Sequence, residues 1–306
     1  MALNGLFSLQ FLMFAEIAVG YVLCRTGVLK PNERSVLSRL IMNVLLPCSI
    51  ISSFKMEMST ELAKQFGQIF VISFLIEIVG IFMNLFIWKR DPADQRPSLQ
   101  YGTICSNAGF MGNAVSEGVY GAMGLILTQV FLVPSRIIAF SFGTTYFSGA
   151  KSPKEVIHII FTNPCIIAII LGLTKMLLGI DLPAPVTDLL TNLGRCASPL
   201  AMILIGMILG QCGFGHLLSR SNLKFAFVRL LLIPIMVLIP CVLLGIDPLV
   251  TSVAVILAAM PAGTTITVFA DRYHANAEFS ANVVVLSTLI SIAILPLWVY
   301  ALAAFA

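Results

Sequence analysis

Charge is what this sequence has least of. Its 306 residues carry 18 Lys and Arg and 14 Asp and Glu, 10% of the chain, whereas a soluble domain carries about 25%. A soluble enzyme is thereby excluded. The cations are scattered over short loops and form no basic stripe interleaved with aromatics, so the net charge of +4 does not point to nucleic acid as a partner. Histidine is scarce: His158, His216 and His274 all fall near the ends of apolar runs, and no nucleophile constellation accompanies them, which argues against an enzyme. No GxxxxGK[ST] loop occurs, so any driving energy must come from an ion, potential or substrate gradient. The seven cysteines include no CxxC pair and no His at ligand spacing. They read as small buried apolar residues, and neither a metal nor another cofactor is expected. Period-2 alternation is also missing, which excludes a membrane-spanning barrel.

What is there is hydrophobic, 58% of the chain. Gly, Pro and charged clusters divide it into ten apolar stretches: Phe7 to Cys24, Val36 to Phe54, Phe66 to Trp88, Leu99 to Gly121, Leu125 to Phe147, Val156 to Gly179, Val186 to Leu209, Phe225 to Gly245, Leu249 to Ala270 and Phe279 to Phe305. About 20 residues of helix span about 30 Å of hydrocarbon, so an all-α, ten-span, multi-pass membrane protein is expected. No Lys or Arg precedes the first run and Glu16 lies inside it, which predicts a retained first helix rather than a signal peptide. Alternate loops hold 11 cations on one face (Arg25, Lys30, Arg34, Lys89, Arg90, Arg96, Lys151, Lys154, Arg220, Lys224, Arg272) and two on the other (Lys55, Lys64). The positive-inside rule then places both termini outside the plasma (inner) membrane.

Five spans per half enter the membrane from opposite sides, and the sequence carries a matching signal. An offset of 152 aligns Gly20 with Gly172, Gly27 with Gly179, Pro31 with Pro183 and Pro47 with Pro199. Composition alone gives roughly 0.2 such matches in a 28-residue window. An inverted repeat is expected, residues 1–150 forming the first half and 151–306 the second. The same offset sets Gly109, in Ser106-Asn107-Ala108-Gly109-Phe110-Met111-Gly112-Asn113, opposite Pro261, in Met260-Pro261-Ala262-Gly263-Thr264-Thr265. The fourth and ninth spans are therefore predicted to be broken helices that cross at the midplane.

A broken helix leaves backbone groups unpaired, and in hydrocarbon each costs several kcal/mol unless protein or cavity water meets it. One half-helix offers N–H groups and the other carbonyls, the combination that binds an anion together with a cation or proton. Asn107, Asn113, Thr264 and Thr265 supply donors and acceptors, while Gly109, Gly112 and Gly263 permit close approach. A blander reading has these residues only packing helices; two polar breaks in corresponding spans favour a transport site.

Asn43-Val44-Leu45-Leu46-Pro47, the Asn107 to Gly112 break and the Met260 to Gly263 break together resemble the auxin efflux carrier family, which includes plant auxin exporters and bacterial malate or malonate permeases. The resemblance covers essentially the whole chain and is nearer the bacterial type, since only Ser148 to Glu155 join the halves. It implies a fold similar to bile-acid/sodium symporters and sodium/proton antiporters. Spans 1, 2, 6 and 7 would form a scaffold that can dimerise, and spans 3–5 and 8–10 a mobile transport unit. Asn113-Ala114 stands where many members carry a proline, so the first break is expected to rest on Gly109 and Gly112.

Ionisable residues within spans are functional candidates because burying them is costly. Arg136 is read either as a bidentate carboxylate ligand or as a structural residue, paired with Glu77 or Glu16 or set on a water-lined helix face. Asn43 and Arg195, each four residues before a helix proline, either line the substrate path or fix helix ends. Glu77 and Asp271 are possible coupling carboxylates, Asp271 alternatively a solvated partner of Arg272. Arg229 is expected to snorkel to the cytoplasmic surface. The function expected is secondary transport of a small organic anion, a carboxylate, by elevator-type alternating access. The alternatives are a sodium- or proton-coupled carrier of bile-acid or cation type and a membrane receptor that binds without transporting.

Overall fold

The computed structural model describes residues 2–54, 59–143, 145–148, 162, 164–211 and 217–303. Among them there is no strand; the chain is all-helical. In order the helices are α1 (Ala2–Arg25), α2 (Arg34–Leu40), α3 (Leu46–Ser53), α4 (Thr60–Ile87), α5 (Arg96–Ile104), α6 (Met111–Ile138), α7 (Thr145–Ser148), α8 (Pro164–Leu177), α9 (Ala184–Arg195), α10 (Ala197–Gln211), α11 (Arg220–Phe227), α12 (Ile233–Leu243), α13 (Pro248–Ala258), α14 (Thr265–Arg272) and α15 (Ala277–Ala303). A π turn at Ile41–Leu45 joins α2 to α3, and another at Val228–Leu232 joins α11 to α12.

Among the described residues, six helical tracts are long and apolar enough to cross a membrane: Arg34–Ser52, Thr60–Ile87, Met111–Ile138, Ala184–Met207, Arg220–Leu243 and Ala277–Ala303. Two shorter apolar helices, Ile167–Leu177 and Pro248–Ala258, accompany them. The predicted junction between the two halves, 150/151, lies outside the described residues. Within α6 the backbone reverses at Gly121 (φ 64°, ψ −152°), so this tract is two helical segments set at an angle. Only glycine adopts that conformation cheaply, and the sequence ends its fourth span there.

The helices segregate into two apolar cores. One gathers α3, α8 and the start of α10 around Ile41, Ile50, Phe54, Ile169 and Leu204. Close approach is secured by glycine: a Cβ on Gly194 of α9 would lie 2.8 Å from Ser49 Cα, and one on Gly172 of α8 3.0 Å from Phe54 Cε2. Helix α1 lies along α10, where a Cβ on Gly206 would come within 2.9 Å of Gly20 Cα. The larger core surrounds the interrupted helices and is built from α4, α5, α6 and α11 to α15, with Ile17 of α1 and Met202 and Ile205 of α10 packed into it. Outward, Phe70, Phe74, Phe82 and Phe86 give α4 an exposed apolar face suited to lipid.

Several local geometries recur between the halves. Gly27 (φ 78°) and Gly179 (φ 60°), 152 residues apart, both turn left-handed just after α1 and α8. Gly121 (φ 64°) and His274 (φ 53°), 153 apart, turn left-handed before the last long helical segment of each half. Ser221 donates to Asp91 Oδ1 (2.8 Å), and Gln65 donates to Asp247 Oδ2 (3.2 Å); both members of the second pair lie 156 positions from those of the first. Asp91 also forms an ion pair with Lys224 at 2.7 Å, joining the turn after α4 to α11.

Candidate functional site

Helix α5 stops at Ile104 because Cys105 is extended (φ −119°, ψ 98°). Ser106 is extended too, a 3₁₀ turn occupies Asn107–Gly109, and α6 starts at Met111. The break therefore begins before the predicted glycines and owes nothing to left-handed backbone at either of them. On the other side α13 ends at Ala258 and α14 starts at Thr265, leaving Ala259 to Thr264 outside regular helix.

The two breaks meet. Asn107 N–H donates to Pro261 O (2.8 Å), Gly263 N–H donates to Cys105 O (3.0 Å), and Ser106 and Ala262 form an isolated antiparallel bridge between them. This reciprocal pair answers the question of where the freed backbone groups go. Its register is 156, four residues beyond the 152 that aligns the early glycines, so Pro261 lies opposite Cys105 to Asn107 rather than Gly109. The closeness depends on Gly263, whose Cβ would sit 3.1 Å from Ser106 O, and Gly112, whose Cβ would sit 2.8 Å from Leu257 Cδ2. Gly112 and Asn113 thus belong to the first turn of α6, where Gly112 packs against α13.

Arg229 was expected at the surface and is 97% buried. Its Nε donates to Met260 O (3.0 Å), on the second break, and its Nη1 to Thr103 O (2.8 Å), in the last turn of α5. The correction has a measurable cause: Arg229 is ten residues past Ser219, the N-cap of α11, or about 15 Å of helix, too deep to snorkel.

Arg136 is 93% buried, and both its terminal guanidinium nitrogens lack a hydrogen-bond partner among the described residues. They face the first break: a Cβ on Gly109 would lie 3.7 Å from Nη2. Neither Glu77 nor Glu16 pairs with Arg136 among the described residues. Glu77, 97% buried on α4, is hydrogen-bonded to Ser135 and feels the charge of Arg229, with its Oε2 unpartnered. On the first break the amide nitrogen Asn107 Nδ2 is likewise buried and unpartnered.

Other predicted site residues are already engaged. Asn113 Nδ2 donates to Gly109 O (2.7 Å), and its Oδ1 accepts from Gln129 Nε2 (2.7 Å), so this amide ties the two segments of α6 to the break. Thr265 Oγ1 lies 3.2 Å from Cys105 Sγ and 3.4 Å from Tyr101 Oη, linking α14 to α5. Thr264 is half-buried. Asn43 and Arg195 are exposed and not drawn into the breaks; Asn43 Nδ2 donates to Arg39 O of its own helix (2.9 Å). Asp271 belongs to α14, and its side chain lies outside what is described.

An apolar, all-helical chain whose interrupted helices join at their breaks has the build of a membrane transport protein. A family model of that description matches residues 8–156 and 150–299, and the chain belongs to this family, that of the auxin efflux carriers. It is similar to a protein of Methanothermobacter thermautotrophicus named "Uncharacterized transporter", 26% identical over 92% of this chain and 93% of the relative. A Rhizobium meliloti protein named "Putative malonate transporter" is 22% identical over 92% of this chain and 90% of its own. "Uncharacterized transporter YfdV" of Escherichia coli K12 is 20% identical over 92% and 93%.

Proposed function

We propose that the chain is a secondary carrier of small organic anions and that Arg136 holds a carboxylate of the cargo at the first break. The observation that carries this is a buried guanidinium with two unpartnered nitrogens facing Gly109 of the first break. A charge so placed is tolerated where a ligand of opposite charge completes it, and a planar fork matches a carboxylate. Asn107 Nδ2 and the half-buried Thr264 stand on the two joined breaks as further polar contacts. The family membership and the name of the Rhizobium relative support the same cargo class.

The architecture proposed is ten spans in a 5+5 inverted repeat with both termini outside, supported by the recurring turns at offsets of 152 and 153 and the reciprocal bonds at 156. The core around α3 and α8, with α1, α9 and α10, serves as scaffold and as the site of any homodimer. The core around the breaks moves against it, as in an elevator. Glu77, buried with one free carboxylate oxygen, is the coupling carboxylate; Asp271 is a second candidate. Flux of labelled malonate, malate and an indole carboxylate into proteoliposomes, with pH and sodium gradients imposed separately, tests the reading. Carrier-dependent uptake of at least one anion is expected. Uptake of none, with uptake of organic cations instead, would overturn it.

A further inference from the structure

Thr103 O lies in the last turn of α5, where a helix leaves carbonyls without intrahelical partners, and Met260 O lies two residues past Ala258, the end of α13, on the second break itself. A helix C-terminus carries a partial negative charge, and the break adds a free carbonyl beside it. In carriers with interrupted helices, converging carbonyl ends of this kind are where a coupling cation is coordinated. Here one guanidinium reaches both, through Nε to Met260 and Nη1 to Thr103, at 3.0 and 2.8 Å. Its positive charge meets both carbonyls, and its fixed fork sets the distance between the end of α5 and the second break. The π turn Val228–Leu232 carries Arg229 at its second residue; an inserted residue of this kind re-aims a helix face and is common at functional positions. Glu77 lies close enough to interact with the same guanidinium.

We propose that Arg229 is a built-in counter-cation: it occupies the carbonyl site between the two half-helices permanently, so the joined breaks keep their geometry without a bound metal ion. Arg229 is a positioning residue and touches no cargo. The inference rests on reading the chain as a carrier, but its first test needs no cargo at all.

The thermal unfolding midpoint of the purified full chain in detergent should be the same in sodium, potassium and choline chloride at equal ionic strength. Arg229→Gly removes the charge and opens space. Its midpoint should fall and should recover in ethylguanidinium chloride but not in choline chloride. Arg229→Lys, one point charge for two carbonyls, should fall in between. In proteoliposomes, Arg229→Gly should lose flux by at least about tenfold, the scale of one lost charge-assisted hydrogen bond, and regain part of it with ethylguanidinium. A sodium-specific rise in the wild-type midpoint would overturn the proposal. So would an Arg229→Gln protein with wild-type midpoint and flux, because the charge would then be dispensable. If Arg229→Gly does not fold, the Lys and Gln variants and the wild-type ion series decide the matter. A failure to transport any anion would refute the carrier reading and leave the midpoint results standing.

Discussion

The amide nitrogen of Gln129 donates to Asn113 Oδ1 at 2.7 Å, and Asn113 in turn donates to the carbonyl of Gly109. Two segments separated by the reversal at Gly121 are thereby fixed to the first break. Each single substitution, Asn113→Ala or Gln129→Leu, should destabilise the folded protein by about 1–3 kcal/mol, since a buried partner is left unsatisfied. The double substitution should cost less than the sum, because both remove the same bond. Unfolding midpoints of the four proteins check this, and strict additivity would mean that the two amides act separately.

Arg136 makes the opposite prediction, a change in binding with little change in folding. Its two terminal nitrogens give nothing to the protein that a substitution could remove. Arg136→Lys should weaken carboxylate binding by about 10-fold and Arg136→Ala by about 100-fold, the range for one or two charge-assisted hydrogen bonds, while both unfold near the wild-type temperature. Calorimetric titration with the transported anion measures it. An Arg136→Ala protein of normal affinity would return the residue to a structural role.

Gly109 and Gly112 lie three residues apart and should behave differently. A methyl at Gly112 meets Leu257 at 2.8 Å, so Gly112→Ala should cost about 1–3 kcal/mol by overpacking, and Gly112→Leu should push α6 off α13 and abolish transport. A methyl at Gly109 meets nothing nearer than Arg136 at 3.7 Å. Gly109→Ala should therefore fold normally and reduce cargo affinity by narrowing the space beside the guanidinium. Equal losses of stability in the two Ala variants would contradict this assignment.

Orientation is checked by cysteine labelling in a background whose native cysteines react little. Cysteines placed at Arg90 and Asp94 should resist an impermeant maleimide in intact cells and react in inside-out vesicles, as the loop cations require. Labelling of both from the outside would invert the topology.

Much of this was written in composition and spacing. The apolar, all-helical character and the breaks near Gly109 and Pro261 follow from residue types that act locally. The register of the breaks was less legible because it depends on where α5 stops, and Cys105, which stops it, has no strong preference of its own. Asn113 and Thr265 looked like free polar groups, since hydrogen bonds to Gln129 and Cys105 join residues far apart in sequence. Asn43 and Arg195 shared a position relative to proline, but that shared position did not turn either inward. Arg229 escapes a hydropathy reading because span ends drawn that way shift by a few residues, enough to confuse a surface cation with a buried one.

The joint between the breaks is made of main-chain atoms at Cys105, Asn107, Pro261 and Gly263. Peptide groups are the same whatever side chains they bear. Side chains around the joint, Gly263 excepted, can therefore be exchanged without removing any of the bonds that hold the two breaks together.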